Sequence, residues 1–191
     1  MSKKRLLAIL GSPHHNGATG SLLNYILKEA KKKGWDINKV NLYEKEIAYC
    51  RGCRRCLSTK ECIQKDDIGE IAELLKECDL VILAAPTYWA NVPAIVKNMF
   101  DRLLGVVMEE TGQFPKPRLS SQQKYFLITA CNTPFPFSFL CGQSRGTIRA
   151  MKEFFKTAGL SYLGKIVLTN YKGNLKISQK LKNKVKKILE E

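Results

Sequence analysis

Residues 6–23 read LLAILGSPHHNGATGSLL: a short apolar run, a turn of small polar residues, then the start of an amphipathic stretch. Leu6 to Leu10 predicts a strand. From Thr19 to Lys33 the residues Leu22, Leu23, Ile26, Leu27 and Ala30 recur on one helical face, and Gly34 supplies the stop. The alternation continues along the chain. Trp35 to Tyr43 reads as a second strand, and a helix follows over Ile68 to Glu77, capped by Asp66 or Asp67. Leu80 to Ala85 is a buried strand stopped by Pro86, and Ala94 to Leu104 is a helix that Pro93 can open. Tyr125 to Ala130 gives a fourth strand, Thr147 to Ala158 a helix ended by Gly159, and the region near Ile166 to Thr169 a fifth strand. Short apolar runs alternating with amphipathic stretches predict a parallel sheet with crossover helices. The expectation is one doubly wound α/β domain over residues 1–191, with an excursion at 105–122 that contains Gly112, Pro115 and Pro117.

A chain of 191 residues, 45% of them hydrophobic, can bury one good core. The net charge of +15 raises the question of nucleic acid or anionic membrane. Its lysines are dispersed, concentrating only at Lys31 to Lys33 and in residues 174–191, where Leu175, Leu181, Val185 and Ile188 fall at roughly helical spacing. A last helix with a solvated basic face accounts for that stretch, and no nucleic-acid motif accompanies it. Neither nucleic acid nor membrane is expected as a partner. The apolar run Leu6 to Leu10 is too short for a signal sequence or a span. Seven cysteines, four of them bunched, argue for metal or redox chemistry in a reducing compartment. A cytoplasmic location is expected.

Between the first strand and its helix stands Gly11-Ser12-Pro13-His14-His15-Asn16-Gly17-Ala18-Thr19. Free backbone N–H groups, the positive end of a helix, and the Ser12, Asn16 and Thr19 side chains suit a phosphate monoester. The Walker A pattern fails because no Lys-Ser or Lys-Thr follows Gly17, and the dinucleotide pattern fails at Pro13. A mononucleotide remains, beside the alternative that a Gly- and Ser-rich turn needs no ligand. Neighbouring side chains diverge in an extended loop, so His14 is expected to face the phosphate and His15 the solvent.

Three segments together, GSPHHNGATGSLL, CRGCRRC with a fourth cysteine before KDD, and APTYWANVPAIVKNMFDR, resemble the NADPH-dependent FMN reductase superfamily, in particular its iron-sulfur flavoprotein branch. The resemblance covers roughly residues 5–105. It implies a flavodoxin-like sheet of order 2-1-3-4-5 with helices on both faces. It also implies that Ser12, His14, Asn16, Ala18 and Thr19 hold the FMN phosphate, and that Pro86, Thr87, Tyr88, Trp89, Ala90 and Asn91 surround the flavin ring. At the position of His14 many relatives carry arginine. Physics agrees with the placement, because in an open α/β sheet the ligand sits beyond the strand ends where the strand order reverses. Tyr88 or Trp89 can stack on a flat ring, or plug the strand ends as hydrophobic cover.

The loop 49–63 after the second strand carries Cys50, Cys53, Cys56 and Cys62, spaced Cys-x2-Cys-x2-Cys-x5-Cys. That spacing suits a 4Fe-4S cluster better than zinc, which favours Cys-x2-Cys pairs separated by a longer loop; unligated thiols are the third possibility. Arg51, Arg54, Arg55 and Lys60 would balance the negative charge of a cluster, or be ordinary surface cations. Cys78 and Cys131 border apolar strands and read as core thiols, while Cys141 has no evident role.

The resulting expectation is an iron-sulfur flavoprotein, an FMN-dependent oxidoreductase in which a cluster and FMN exchange electrons and no side chain acts as acid or base. An NAD(P)H-dependent FMN or quinone reductase without a cluster, and a non-enzymatic flavodoxin-like carrier, are the competing readings. The positive charge favours an acidic partner, and the resemblance implies ferredoxin as donor, with NAD(P)H as a further possibility. It also implies a homodimer or homotetramer, for which residues 105–122 are the candidate contact.

Overall fold

The computed structural model describes residues 3–171, 175 and 177–190. Seven strands and eight helices follow in the order β1 Arg5–Leu10, α1 Ala18–Lys32, β2 Asp36–Asn41, α2 Cys56–Thr59, α3 Ile68–Glu77, β3 Leu80–Pro86, α4 Ala94–Arg102, α5 Leu104–Val107, β4 Met108–Glu109, β5 Lys116–Pro117, β6 Lys124–Cys131, α6 Phe137–Leu140, α7 Gln143–Ala158, β7 Ser161–Thr169 and α8 Gln179–Ile188. A short 3-10 turn, Leu42–Glu44, follows β2. Five strands form the main sheet in the order β2-β1-β3-β6-β7, all parallel, and β4 and β5 make a separate antiparallel pair. With that pair set aside the order is 2-1-3-4-5, the flavodoxin-like winding that the resemblance implied.

Period-two alternation sorts the strand side chains onto two faces. Leu7, Ile9, Val81, Leu83 and Leu127 point into a core with α3, α4 and α7. Leu6, Ala8, Leu10, Ile82, Ala84, Phe126 and Ile128 point into the opposite core with α1 and α8. On α1, Leu22, Leu23 and Ile26 have no exposed surface. Burying three such side chains contributes roughly 5–9 kcal/mol before the entropy of ordering them. Of the basic C-terminal stretch, residues 174, 176 and 191 lie outside those described; α8 opens at Ser178, whose side chain accepts from Leu181 N (3.3 Å), and buries Val185 and Ile188. No helix among the described residues is long and apolar enough to cross a membrane.

Several element bounds differ from the sequence reading. Helix α7 begins at Gln143, four positions before Thr147, and takes in Gly146, where a Cβ would lie 2.0 Å from the Ala90 carbonyl oxygen. Strand β7 begins at Ser161, and its alternation is interrupted by a bulge opposite Tyr125/Phe126, where Gly164 has φ +151°. Asp67 is the N-cap residue of α3 but makes no side-chain cap bond, its carboxylate accepting from Glu46 N (2.8 Å) instead; the Asp66 carboxylate one position earlier accepts from Ile68 N (3.2 Å).

Gly20 fixes the entry into α1. A Cβ at this position would meet the His15 carbonyl oxygen at 2.2 Å and the His14 carbonyl oxygen at 3.0 Å, so the turn and the helix can approach only with glycine there. Gly20→Ala is expected to destabilise the fold by about 1–3 kcal/mol, read from the urea midpoint. An unchanged midpoint would contradict this close approach.

Candidate functional site

A cleft of about 360 Å³ opens at the carboxyl ends of β1, β3 and β6. The first-strand turn forms one wall. Ser12 is buried and its Oγ accepts from His14 N (3.2 Å), while exposed His14 lines the cleft. Gly17 caps α1 with no side-chain bond, and the first helical backbone bond is Ser21 N to Gly17 O (2.8 Å). The amides of Ala18, Thr19 and Gly20 therefore precede the intrahelical ladder, at the positive end of a 15-residue helix with no acidic residue in its first turn. Ala18 and Thr19 both line the cleft. Asn16 stands outside it, its carbonyl accepting from Ser21 Oγ (2.9 Å). His15 turns away toward Glu44 (2.9 Å) and Asn41 (3.2 Å), more engaged than the solvent-facing side chain expected.

The opposite wall is the turn after β3. Pro86, Thr87 and Tyr88 line the cleft; Trp89, Ala90 and Asn91 do not. Tyr88 and Asn91 exchange both backbone bonds at 2.9 Å, closing a two-residue turn. Its central residues, Trp89 (φ 51°) and Ala90 (φ 57°), occupy the left-handed region that Asn-Gly usually fills. Each costs of order 1–3 kcal/mol where no glycine relieves it. The surroundings hold the turn in place. Thr147 Oγ1 on α7 donates to Thr87 Oγ1 (3.0 Å) and lies 3.1 Å from the Asn91 carbonyl, and Thr87 Oγ1 lies 3.0 Å from Thr129 Oγ1. Trp89 is 100% exposed, so it projects into solvent and not over the cleft.

The third side was missed by sequence reasoning. Ala130 and Cys131 at the end of β6, Asn132 after it, and Tyr171 after β7 also line the cleft. The strand-end rule that selected the first two loops applies equally to these, and was the signal available. For a phosphate monoester joined to a flat ring system the cleft has fitting chemistry: unladdered amides and buried hydroxyls at one wall, a backbone-braced aromatic turn at the other.

The cysteine loop lies against α4 and α5. Cys50 and Cys53 are exposed, Cys56 opens α2, and Cys56 and Cys62 are half-buried. Among the described residues no three metal-ligating side chains converge on a point. The donor set is nevertheless four unbridged thiols on one loop, chemistry that fits a thiolate-bound centre. Both ends of the loop are anchored to α4. Asn98 accepts from Cys50 N (3.1 Å) and donates to the Ala48 carbonyl (3.2 Å). Arg102, whose side chain is 0% exposed, donates Nε to Cys62 Sγ (3.1 Å), Nη2 to the Gln64 carbonyl (3.1 Å), Nη1 to the Ala48 carbonyl, and both terminal nitrogens to Asp66 (2.8 and 2.9 Å). Burial alone would raise the Asp66 carboxyl, but the Arg102 guanidinium and the amides of Ala48 and Ile68 outweigh it and hold the group below its usual range. Its stabilising contribution is therefore present above the ordinary carboxylate pKa and is lost as pH falls through the lower folded value.

The 105–122 excursion braces the same loop. A Cβ on Gly105 would lie 2.0 Å from the Cys56 carbonyl oxygen, Arg118 donates to the Gly105 (2.7 Å) and Leu57 (3.2 Å) carbonyls, and Arg54 pairs with Glu110. Cys78 is a core thiol as expected, pushed up to about 12 by burial. Cys131 is buried and raised by burial, yet it also edges the cleft, and Cys141 is exposed.

Arg102→Met removes all the hydrogen bonds that Arg102 donates and leaves Asp66 with only the amides of Ala48 and Ile68. The expected cost is about 3–5 kcal/mol. The loosened loop exposes Cys62, so that at a pH high enough to ionise it with or without the neighbouring cation its alkylation in the metal-free protein is faster, with little change at buried Cys78. An unchanged unfolding midpoint with unchanged Cys62 reactivity would contradict the anchoring role.

A profile of the NADPH-dependent FMN reductase family matches residues 4–129, from β1 through most of β6. An iron-sulfur flavoprotein of Archaeoglobus fulgidus is 43% identical over 100 residues, 52% of this chain and 46% of that protein. One from Methanosarcina thermophila is 34% identical over 98 residues, 51% of each chain. The chain thus spans about half the length of the curated relatives it matches. An FMN-dependent NADH-azoreductase from Bacillus anthracis, solved in complex with FMN, superposes with a TM-score of 0.70 over 100% of this chain and 97% of that one; at 14% identity the likeness is one of fold. The uncapped turn after β1, the braced turn after β3 and the profile spanning both lead to one assignment: the chain, similar over about half its length to proteins named iron-sulfur flavoproteins, belongs to the NADPH-dependent FMN reductase family.

Proposed function

We propose that this protein is an FMN-dependent oxidoreductase that couples one-electron and two-electron partners, with Cys50, Cys53, Cys56 and Cys62 holding a 4Fe-4S cluster. The observation that carries the reading is the shared helix: α4 leaves the turn that walls the cleft and, about one and two turns later, anchors the two ends of the cysteine loop through Asn98 and Arg102. The phosphate of FMN would be held by the amides of Ala18 and Thr19 and the hydroxyls of Ser12 and Thr19, with His14 beside it. Pro86, Thr87 and Tyr88 would face the ring. Asn16, Trp89, Ala90 and Asn91, outside the cleft, would act through the backbone geometry of their turns. A flavin supplies chemistry in both one- and two-electron steps, and a cluster supplies single electrons. The chain's own part is to bind, orient and shield. Thr87 and Thr147 fix the turn, α1 compensates the phosphate charge, and Arg102 places a permanent cation against Cys62.

The reading extends to the partners. An acidic one-electron carrier such as a ferredoxin suits the charge of +15, NAD(P)H is the second donor to test, and a homodimer or homotetramer would add cover over the open cleft. The cluster-free NAD(P)H-dependent reductase is the second reading. It is favoured by one observation, that the four thiols do not converge among the described residues.

Anaerobic purification separates the two. The expected result is bound FMN with about four irons and four sulfides per chain, and Cys53→Ser should abolish the broad brown absorbance while leaving the flavin bands. FMN without iron, or stoichiometric zinc without labile sulfide, would select the cluster-free reading.

A further inference from the structure

A second concavity, of about 1020 Å³, runs along the outer side of α7 beside β7, the edge strand of the sheet. Four of its cations, Arg145, Arg149, Lys152 and Lys156, sit on α7 at steps of four, three and four residues, which places them on one helical face over about 16 Å. Lys165 of β7 lines the opposite side. None of these five forms an ion pair among the described residues, whereas Arg5, Lys32, Lys45, Lys76, Lys97 and Arg102 each have a carboxylate partner. Glu153 is the one acidic residue in the lining. The row is also held in position, since Arg145 lies over the Phe139 ring (4.9 Å) and Lys152 over the Tyr162 ring (3.7 Å). Phe139, Leu140 and Leu160 add apolar surface.

Five cations kept together against a single carboxylate raise a positive potential that favours an anionic partner, most strongly at low salt. A second copy of this chain would bring the same sign of charge, with +15 of its own. The length of the row and its apolar components match a protein footprint, with carboxylates on the cations and an apolar side chain against Phe139 and Leu140. The first turn of α7 touches the turn after β3, where Gly146 lies against the Ala90 carbonyl.

We infer that the α7/β7 groove is the docking surface for an acidic electron-carrier protein, with its carboxylates on Arg145, Arg149, Lys152, Lys156 and Lys165. The identity of the partner as an electron carrier rests on the proposed function; the acidic docking surface rests on the groove alone. The test is calorimetric titration of the holoprotein with an acidic ferredoxin at low salt. Arg149→Glu/Lys156→Glu is compared with Lys28→Glu/Lys31→Glu, an equal charge change on exposed positions of α1 across the sheet. The groove pair should weaken binding roughly tenfold more than the α1 pair, and the neutral pair Arg149→Gln/Lys156→Gln should fall between wild type and the groove pair. Equal weakening by both glutamate pairs, or no binding to the wild-type protein, overturns the assignment. So does tighter binding of a short single-stranded oligonucleotide that the groove pair abolishes, because the groove is then a nucleic-acid surface. Binding with no subsequent reduction of the protein counts against the proposed function and leaves the docking surface standing.

Discussion

The order of the main sheet reverses at β1, and the candidate site depends on that reversal. Crossovers leaving β1 and β3 pass to opposite faces, so the loops at their carboxyl ends part and open a crevice that no neighbouring strand fills. The turn after β1 presents the uncapped start of α1 to that crevice, and the turn after β3 presents Pro86, Thr87 and Tyr88. Glycines make the approach possible on both sides. A Cβ on Gly11 would stand 2.2 Å from Val96 Cγ2 of α4, and one on Gly20 would run into the loop carbonyls.

Helix α4 then joins two features far apart in the sequence. It begins directly after the turn that walls the cleft and carries Asn98 and Arg102 to the cysteine loop. A guanidinium with no exposed surface is tolerable only when its donors are satisfied, and Arg102 meets this with the Asp66 carboxylate, two carbonyls and a thiol. The buried pair is thus a constraint on loop shape as much as an interaction. Since Asp66 also accepts from Ala48 N (3.0 Å) and Ile68 N, the start and end of the cysteine loop and the start of α3 are fixed by one carboxylate.

The parallel sheet and the turn after β1 were legible because they rest on local signals, apolar runs, helical spacing and glycine stops, whereas the strand order came only with the family resemblance. The burial of Arg102 was not. In sequence it closes an amphipathic helix as an ordinary basic residue, and its partners Ala48, Cys62 and Asp66 meet it only through long-range folding. Helix α7 was read four residues short because Gly142 and Gly146 look like loop residues, and Gly146 is explained only by the approach of Ala90. The segment Pro86 to Asn91 was legible as a wall of the cleft but not residue by residue. Alternation along Pro86 to Asn91 does not reveal that a left-handed turn at Trp89 and Ala90 swings the tryptophan into solvent. The contribution of Asn132 and Tyr171 likewise depends on where β6 and β7 end.

The central claim is that the start of α1 reads a phosphate. Titrating the flavin-free protein with FMN and with riboflavin tests it most directly, because the two ligands differ only in that group. The account predicts that FMN binds tighter by about two orders of magnitude, and that Thr19→Ala reduces the difference by weakening FMN alone. Equal affinities for FMN and riboflavin, or equal losses of both in Thr19→Ala, would contradict it.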